Sequence, residues 1–142
     1  KVFKKKYLAV VDGKFETPTG TLEDYLYKDE RNNMSRVVNK DKKNAKLAKL
    51  DYEVLAYNGV KNLSLVRVNL YTGRHHQIRV QLAHAGHSIF GDQKYGTRGQ
   101  GKQIALWAYE LTIQHPITKE KMTFKCLPES NGTWCILRNI EI

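Results

Sequence analysis

The segment that decides the fold is residues 70–83, which read LYTGRHHQIRVQLA. A strand-like alternation ends here, and Gly73 marks a turn before the pattern changes to helical spacing. Thr72 is the predicted N-cap of this helix, and Gly86 is its predicted end. The apolar stripe that would anchor the helix recurs every three or four residues: Ile78, Leu82 and Ala85. The sequence therefore predicts a strand-to-helix junction, with the helix packed on a sheet.

The same helix is predicted to present a cationic face beside its apolar stripe. Arg79 follows His75 by four positions and His76 by three, so the three side chains would share one face. A guanidinium mounted rigidly at such a junction is suited to bind a phosphate or a carboxylate. The simpler alternative is a surface arginine on an amphipathic helix, and spacing alone favours that alternative.

Strands dominate the rest of the predicted structure. Short runs of β-forming residues bounded by turns predict strands at residues 6–11, 21–28, 52–57, 63–70, 105–115 and 120–126. A short piece at residues 36–38 is suited to pair at a sheet edge. The apolar parity changes within residues 63–70, which predicts either a β-bulge or a strand buried on both faces. The expected class is α+β, a mixed or antiparallel sheet with few helices, in one domain over residues 1–142.

The charge of the chain indicates a polyanionic partner. The formal net charge is +10, and each phosphate that a protein neutralises releases counterions and favours binding. Between Lys28 and Lys49, eight basic residues stand against three acidic ones, a net charge of +5. Lys42, Lys43 and Lys46 are the candidate phosphate contacts within this stretch. The alternative is a solvated, mobile loop of a generally basic protein.

Other features of the sequence suggest a cytoplasmic protein. Two cysteines, Cys126 and Cys135, are too few for a disulfide framework, so a reducing compartment is the simplest interpretation. The first residues lack the apolar run of a signal peptide. No stretch approaches the roughly 20 apolar residues of a membrane span, so no membrane association is expected.

Several short motifs, in order along the chain, resemble those of one known family. They are GRHHQIR at residues 73–79, GH at 86–87, GDQKYG at 91–96, KYLA at 6–9, and LWA at 106–108 followed by HP at 115–116. Together they are similar to the signature motifs of RluA-like RNA pseudouridine synthases. The resemblance extends from about Lys4 to Phe124. Trp107 stands where the family usually has histidine.

The resemblance implies an enzyme that isomerises uridine to pseudouridine in structured RNA, ribosomal RNA rather than transfer RNA, without a cofactor. The family's nucleophile is an aspartate in an H-R-L-D type motif that precedes the element matched at residues 6–9. None of the six aspartates of this chain has that context. We therefore expect the carboxy-terminal portion of a catalytic domain, lacking the catalytic aspartate and inactive alone.

The resemblance also assigns roles to particular residues. Arg79 would pair with the catalytic aspartate, and Tyr7 would stack on the target base. Arg74, His76 and Gln77 would brace the loop or contact the RNA backbone. The histidines at 75, 76, 84 and 87 lack the spacing of helical zinc ligands, so no metal is expected. A monomer is expected, because nothing in the sequence indicates an obligate dimer.

Two other functions are compatible with the sequence. A non-catalytic RNA-binding module would keep the fold and the cationic groove without the nucleophile. A metal-dependent phosphodiesterase would use the histidines and would require bound metal.

Overall fold

The seven strands of residues 2–142 form one antiparallel sheet, and one α-helix packs across part of it. The computed structural model describes residues 2–142. The strands are β1 (Val2–Asp12), β2 (Thr19–Asp29), β3 (Met34–Val38), β4 (Lys46–Asn58), β5 (Leu63–Leu70), β6 (Leu106–Gln114) and β7 (Lys121–Lys125). Helix α1 spans Gln77–His84, and a 3₁₀ helix that the sequence did not predict spans Gly132–Leu137. The strand order is β3-β2-β4-β5-β1-β6-β7, antiparallel throughout. The predicted α+β class with few helices is confirmed.

Strand β5 explains the change of parity in its sequence. It lies between β4 and β1, and residues 63–66 are buried at four consecutive positions. Because successive side chains of a strand point to opposite faces, consecutive burial means that both faces are covered. The irregular register lies in the partner strand β4, between Val54 and Ala56. Of the two alternatives predicted for residues 63–70, burial on both faces is therefore confirmed, whereas the bulge lies in the neighbouring strand β4.

Helix α1 covers the part of the sheet that contains β2 and β3. Its Val80 packs with Leu26 of β2 in a small buried cluster, while Ile78 and Leu82 join the main core. The predicted apolar stripe is confirmed at these two positions. Ala85 is the exposed C-cap residue beyond the helix, so its predicted place in the stripe is wrong.

The prediction of Thr72 as the N-cap is also wrong. The helix begins at Gln77, and its N-cap residue is His76, which has a left-handed φ of 54°. His75 and His76 precede the helix, so they do not share a helical face with Arg79. The physical reason lies in Gln77, whose side-chain Oε1 accepts a hydrogen bond from the Thr72 hydroxyl, with 2.7 Å between the two oxygen atoms. That hydroxyl is therefore bonded to a side chain and not to a helix amide.

The loop between α1 and β6 returns to the sheet and carries Asp92 with it. The backbone N–H of Phe90 donates to the carbonyl oxygen of Val10 in β1 at 2.9 Å. Gly91 has φ of 82°, and a Cβ at this position would lie 2.5 Å from the carbonyl oxygen of Gln103. Only glycine fits such a backbone conformation and such a close approach. This contact sets the position of Asp92, the next residue.

Candidate functional site

A cleft opens where β5 ends and α1 begins. Its volume is about 560 Å³, and it is lined by β1, by the segment between β5 and α1, and by the first turn of α1. Five of the predicted site residues line it: Tyr7, Arg74, His76, Gln77 and Arg79. Lys4 and Lys5 line it as well, and no described Asp or Glu does. The cleft is therefore positively charged and suited to an anionic ligand.

The guanidinium of Arg79 makes a two-pronged ion pair with Asp92. Nε of Arg79 donates to Oδ2 at 2.9 Å, and Nη2 donates to Oδ1 at 2.8 Å. The Asp92 side chain is fully buried, whereas the Arg79 side chain is 21 % exposed. Two parallel hydrogen bonds fix the plane of a guanidinium as well as its position. Arg79 is thus held rigidly at the wall of the cleft.

Asp92 is held as a carboxylate. Burial would raise the pKa of Asp92, but hydrogen bonds from Arg79 and from the backbone N–H groups of Tyr95 and Lys94 lower it more, so the pKa lies below its usual 3.8. The hydrogen bond to Asp92 in turn raises the pKa of Arg79. Both groups are therefore charged at neutral pH, and Asp92 serves as the anchor of Arg79.

The anchored guanidinium keeps donors for a ligand. A guanidinium has five N–H groups. Asp92 accepts two of those of Arg79, and no other described residue accepts from the remaining three. The guanidinium carbon also lies 5.1 Å from the centre of the Tyr95 ring, a favourable cation–π contact. Sequence reasoning found Arg79 but missed Asp92 as its partner, for which the only signal was its place in the GDQKYG motif.

Gln77 braces the segment that carries the cationic residues. Its Oε1 accepts hydrogen bonds from the Thr72 hydroxyl and from the backbone N–H of Arg74, at 2.7 and 2.9 Å. Its Nε2 donates to the carbonyl oxygen of Lys49 in β4 at 3.1 Å. Gln77 is only 3 % exposed. Of the two predicted roles, these contacts correspond to bracing of the loop.

His75 and His76 stack on each other beside the cleft, with ring centroids 3.8 Å apart. His76 Nδ1 lies 2.7 Å from the hydroxyl of Tyr95, and His75 Nδ1 lies 2.8 Å from the hydroxyl of Ser35. Burial, reinforced by the charge of Arg79, lowers the pKa of His76 to about 4. Burial also lowers the pKa of His75. The His76 ring is therefore neutral at pH 7. Sequence reasoning missed Ser35, which no motif includes.

Tyr7 lies on β1, paired with Val68 of β5 and with Ala108 of β6. Its side chain is half-buried and lines the cleft. The sheet therefore brings Tyr7 to the same cleft as Arg79, which α1 supplies.

The remaining predicted contacts are exposed outside the cleft: Lys42 and Lys43 on the connection of β3 to β4, and Lys46 at the first residue of β4. The amino group of Lys42 lies 4.7 Å from the centre of the Tyr27 ring. Arg74 lines the cleft and also contacts the start of β4, because its Nε donates to the carbonyl oxygen of Leu47 at 2.9 Å. A cationic surface therefore runs from the cleft past Arg74 to the lysines.

Two general features complete the description of the site. Among residues 2–142, no three His, Cys, Asp or Glu side chains converge in a way that could hold a metal ion. Nor does this part of the chain contain a helix long and apolar enough to cross a membrane.

The fold and the sequence both have known relatives. The structure of human RNA Pseudouridylate Synthase Domain Containing 1 matches with a TM-score of 0.74 and 28% identity, over 89% of this chain and 55% of that chain. The fold is thus that of part of a pseudouridylate synthase domain. Residues 1–84 also match the sequence profile of the RNA pseudouridylate synthase family.

Individual relatives point to the same family. The Uncharacterized RNA pseudouridine synthase YhcT of Bacillus subtilis (strain 168) is 38% identical over 84% of this chain and 39% of that protein. The Dual-specificity RNA pseudouridine synthase RluA of Haemophilus influenzae is 36% identical over 85% of this chain and 55% of that protein. The chain therefore belongs to the RluA-like family of RNA pseudouridine synthases. It spans about half or less of the length of these relatives.

Proposed function

We propose that this chain is the carboxy-terminal part of the catalytic domain of an RNA pseudouridine synthase that acts on structured RNA. The observation that carries the proposal is the state of Arg79. Asp92 fixes its guanidinium by two hydrogen bonds, and three further N–H groups stay without a described acceptor at the wall of a cationic cleft. A carboxylate that enters the cleft would be oriented by these donors and kept ionised by the charge.

The isomerisation makes definite demands on such a site. The bond between C1′ of the ribose and N1 of the uracil breaks, the uracil rotates, and C5 bonds to C1′ and then loses its proton. A carboxylate beside the sugar is needed for these steps. Asp92 does not supply it, because its carboxylate is fully buried and bound to Arg79. The nucleophilic aspartate is therefore proposed to lie outside this chain, with Arg79 as its partner.

Tyr7 is the proposed stacking surface for the uracil. The nucleotide must leave its helix before the glycosidic bond can react. Tyr7 is half-buried on β1, so little side-chain freedom remains to be lost when a base binds. Stacking of a base on an aromatic ring contributes about 1–3 kcal/mol.

The RNA outside the cleft is proposed to follow the surface from Arg74 to the three lysines at and just before the start of β4. Arg74 is exposed and tethered to Leu47 of β4, so its charge has a fixed place beside Lys46. Phosphates of an RNA strand would contact these cations in succession. His76 and Gln77 support the same path, one at the cleft and one by bracing the loop.

The proposal also includes the cellular compartment, the oligomeric state and the class of RNA. We place the enzyme in the cytoplasm as a monomer, with ribosomal RNA as its substrate. Cys126 and Cys135 are both free thiols, which is compatible with a reducing compartment. The net charge of +10 suits a large polyanionic substrate such as ribosomal RNA.

The test is tritium release from RNA that contains C5-tritiated uridine. The intact enzyme, including the part that carries the proposed aspartate, should release tritium as pseudouridine forms. The alternative is a non-catalytic RNA-binding module of the same fold. Binding of the RNA without tritium release or any pseudouridine in the product would establish that alternative instead.

A further inference from the structure

A chain of hydrogen bonds joins the start of β3 to the cleft. The backbone N–H of Ser35 donates to the hydroxyl oxygen of Tyr95 at 2.8 Å, and that hydroxyl lies 2.7 Å from Nδ1 of His76. The Ser35 hydroxyl lies 2.8 Å from Nδ1 of His75. Ser35 is 4 % exposed, so these contacts are shielded from water. The backbone of Ser35 thus reaches His76 only through Tyr95, whereas its side chain contacts His75 directly.

The Tyr95 hydroxyl is placed to donate its proton to His76. The Tyr95 oxygen accepts from Ser35, so its single proton is available to His76. A neutral imidazole that accepts a hydrogen bond at Nδ1 carries its own proton on Nε2. No described residue accepts from His76 Nε2, and His76 lines the cleft. In this tautomer His76 would present a neutral N–H donor to the cleft, beside its cations.

The neighbouring ring is held in the same form by separate partners. His75 Nε2 lies 3.1 Å from Oδ1 of Asn33, an oxygen that can only accept, so Nε2 carries the proton. Nδ1 of His75 then accepts from the Ser35 hydroxyl. The Lys94 amino group donates to the backbone carbonyl oxygen of Asn33 at 2.9 Å, a further contact to the same residue. Each histidine thus depends on a different group, so their roles can be separated experimentally.

We propose that Tyr95 is a positioning residue of this cleft: fixed by the backbone N–H of Ser35, it holds His76 as its Nε2–H tautomer, so that this N–H donates to an oxygen of the substrate nucleotide. The inference rests on the proposed function and adds a role that the cations cannot fill. Phosphates are bound by Arg74 and the lysines, whereas an uncharged acceptor such as a uracil carbonyl gains from a neutral donor of fixed direction. The left-handed backbone of His76, φ 54°, is uncommon for a residue other than glycine and is compatible with a position set by function.

The first test is the tautomer itself, read from ring ¹⁵N shifts of the intact enzyme labelled at histidine. Wild type should show His76 as the Nε2–H form. Tyr95→Phe keeps the ring over Arg79 but removes the proton donor, so His76 should become a mixture of tautomers. Ser35→Ala should alter only His75, because the backbone N–H at position 35 remains. A His76 that carries its proton on Nδ1, or that does not respond to Tyr95→Phe, would overturn the proposal.

The second test separates positioning from simple packing. Single-turnover rates should fall about three- to tenfold in Tyr95→Phe, the worth of one neutral hydrogen bond. His76→Gln offers an amide N–H that has no tautomer to fix, so adding Tyr95→Phe to it should cost less than about twofold. An equal loss in both backgrounds would mean that Tyr95 only supports the packing, and would overturn the proposal.

A matched control is available in β4. Tyr57→Phe also removes one phenolic hydroxyl, which donates to Asn62 away from the cleft, and should leave rate and histidine spectra unchanged. The failure of this proposal and the failure of the proposed function can be told apart. An intact enzyme that makes no pseudouridine would refute the proposed function, whereas the histidine spectra would still decide how Tyr95 acts on His76.

Discussion

Asp92 binds Arg79 from the buried side and leaves the other N–H groups of the guanidinium for the cleft. A cationic side chain held only by a ligand would become mobile when the ligand leaves. Its conformational entropy would then have to be lost again at each turnover. Anchoring by a resident carboxylate removes that cost before the substrate arrives. In the proposed function, the guanidinium of Arg79 joins the buried carboxylate of Asp92 to a catalytic carboxylate from outside this chain.

Removal of the anchor should destabilise the fold. Asp92→Asn leaves the Arg79 charge without its buried partner, at a cost of about 3 kcal/mol in the free energy of unfolding. Urea unfolding of the intact enzyme at pH 7 measures this loss, with the exposed Asp41→Asn as control. The pKa of Asp92 is lowered on folding, so its stabilisation is present above pH 3.8 and is lost as pH falls further. A loss below about 1 kcal/mol would contradict the role of anchor.

His76 should make the fold sensitive to acid in a higher range. Its pKa is 6.5 in the unfolded chain and about 4 in the folded one, so the unfolded state binds the proton first as pH falls. Stability should therefore decrease between pH 6.5 and 4, and His76→Gln should reduce this decrease. Urea unfolding at pH 7, 5.5 and 4.5 tests it, with the exposed His84→Gln as control. Equal slopes in the His76 variant and wild type would refute the prediction.

Arg79 should affect rate more than RNA affinity in the intact enzyme. Arg79→Ala leaves the buried Asp92 without its partner and removes the proposed partner of the catalytic carboxylate, so both stability and turnover should fall, the former by about 3–5 kcal/mol. Arg79→Lys keeps the charge but loses the fork geometry, so it should fold better than the alanine variant and still react slowly. Single-turnover kinetics beside a binding titration measure both effects. Near-normal rates with weakened binding would make Arg79 an RNA contact, with Arg74 as the alternative partner of the catalytic carboxylate.

The three lysines at and just before the start of β4 should determine the salt dependence of RNA binding. Replacement of Lys42, Lys43 and Lys46 by Gln should weaken binding and reduce the slope of log K against log salt by about 0.7–0.9 for each lost contact. The control changes the same charge elsewhere, at the exposed Lys61, Lys102 and Lys119. A slope that stays the same in the first variant would show that these lysines are merely solvated.

The 142-residue polypeptide alone should not make pseudouridine. Its described aspartates do not line the cleft, and Asp92 is committed to Arg79. Tritium release from C5-labelled RNA should therefore stay at background for this polypeptide, while the intact enzyme is active. Turnover by the 142-residue chain would place the nucleophile within it and would refute the proposed origin of the carboxylate.

Local patterns in the sequence predicted part of every strand, the existence of the helix and the family, but not the residue at which the helix begins. Alternation with period two reports which face of a strand is buried, and spacing of three or four reports the buried side of a helix, because both follow from backbone geometry. Residues 63–70 even showed their burial on both faces. Spacing alone favoured a surface role for Arg79, and the resemblance of the motifs from GRHHQIR to GDQKYG to those of the family singled this residue out.

Only the tertiary structure decided which of these residues meet. Ser35 and Tyr95 are 60 positions apart, and their hydrogen bond exists because β3 lies at the sheet edge that α1 covers. The start of α1 likewise depends on Gln77, which reaches Lys49 in β4 and so holds the preceding residues out of the helix. Such contacts depend on strand order and register, and these are set by the packing of the whole sheet. No local pattern reports them, so the partners of Arg79 and His76 became known only from the folded chain.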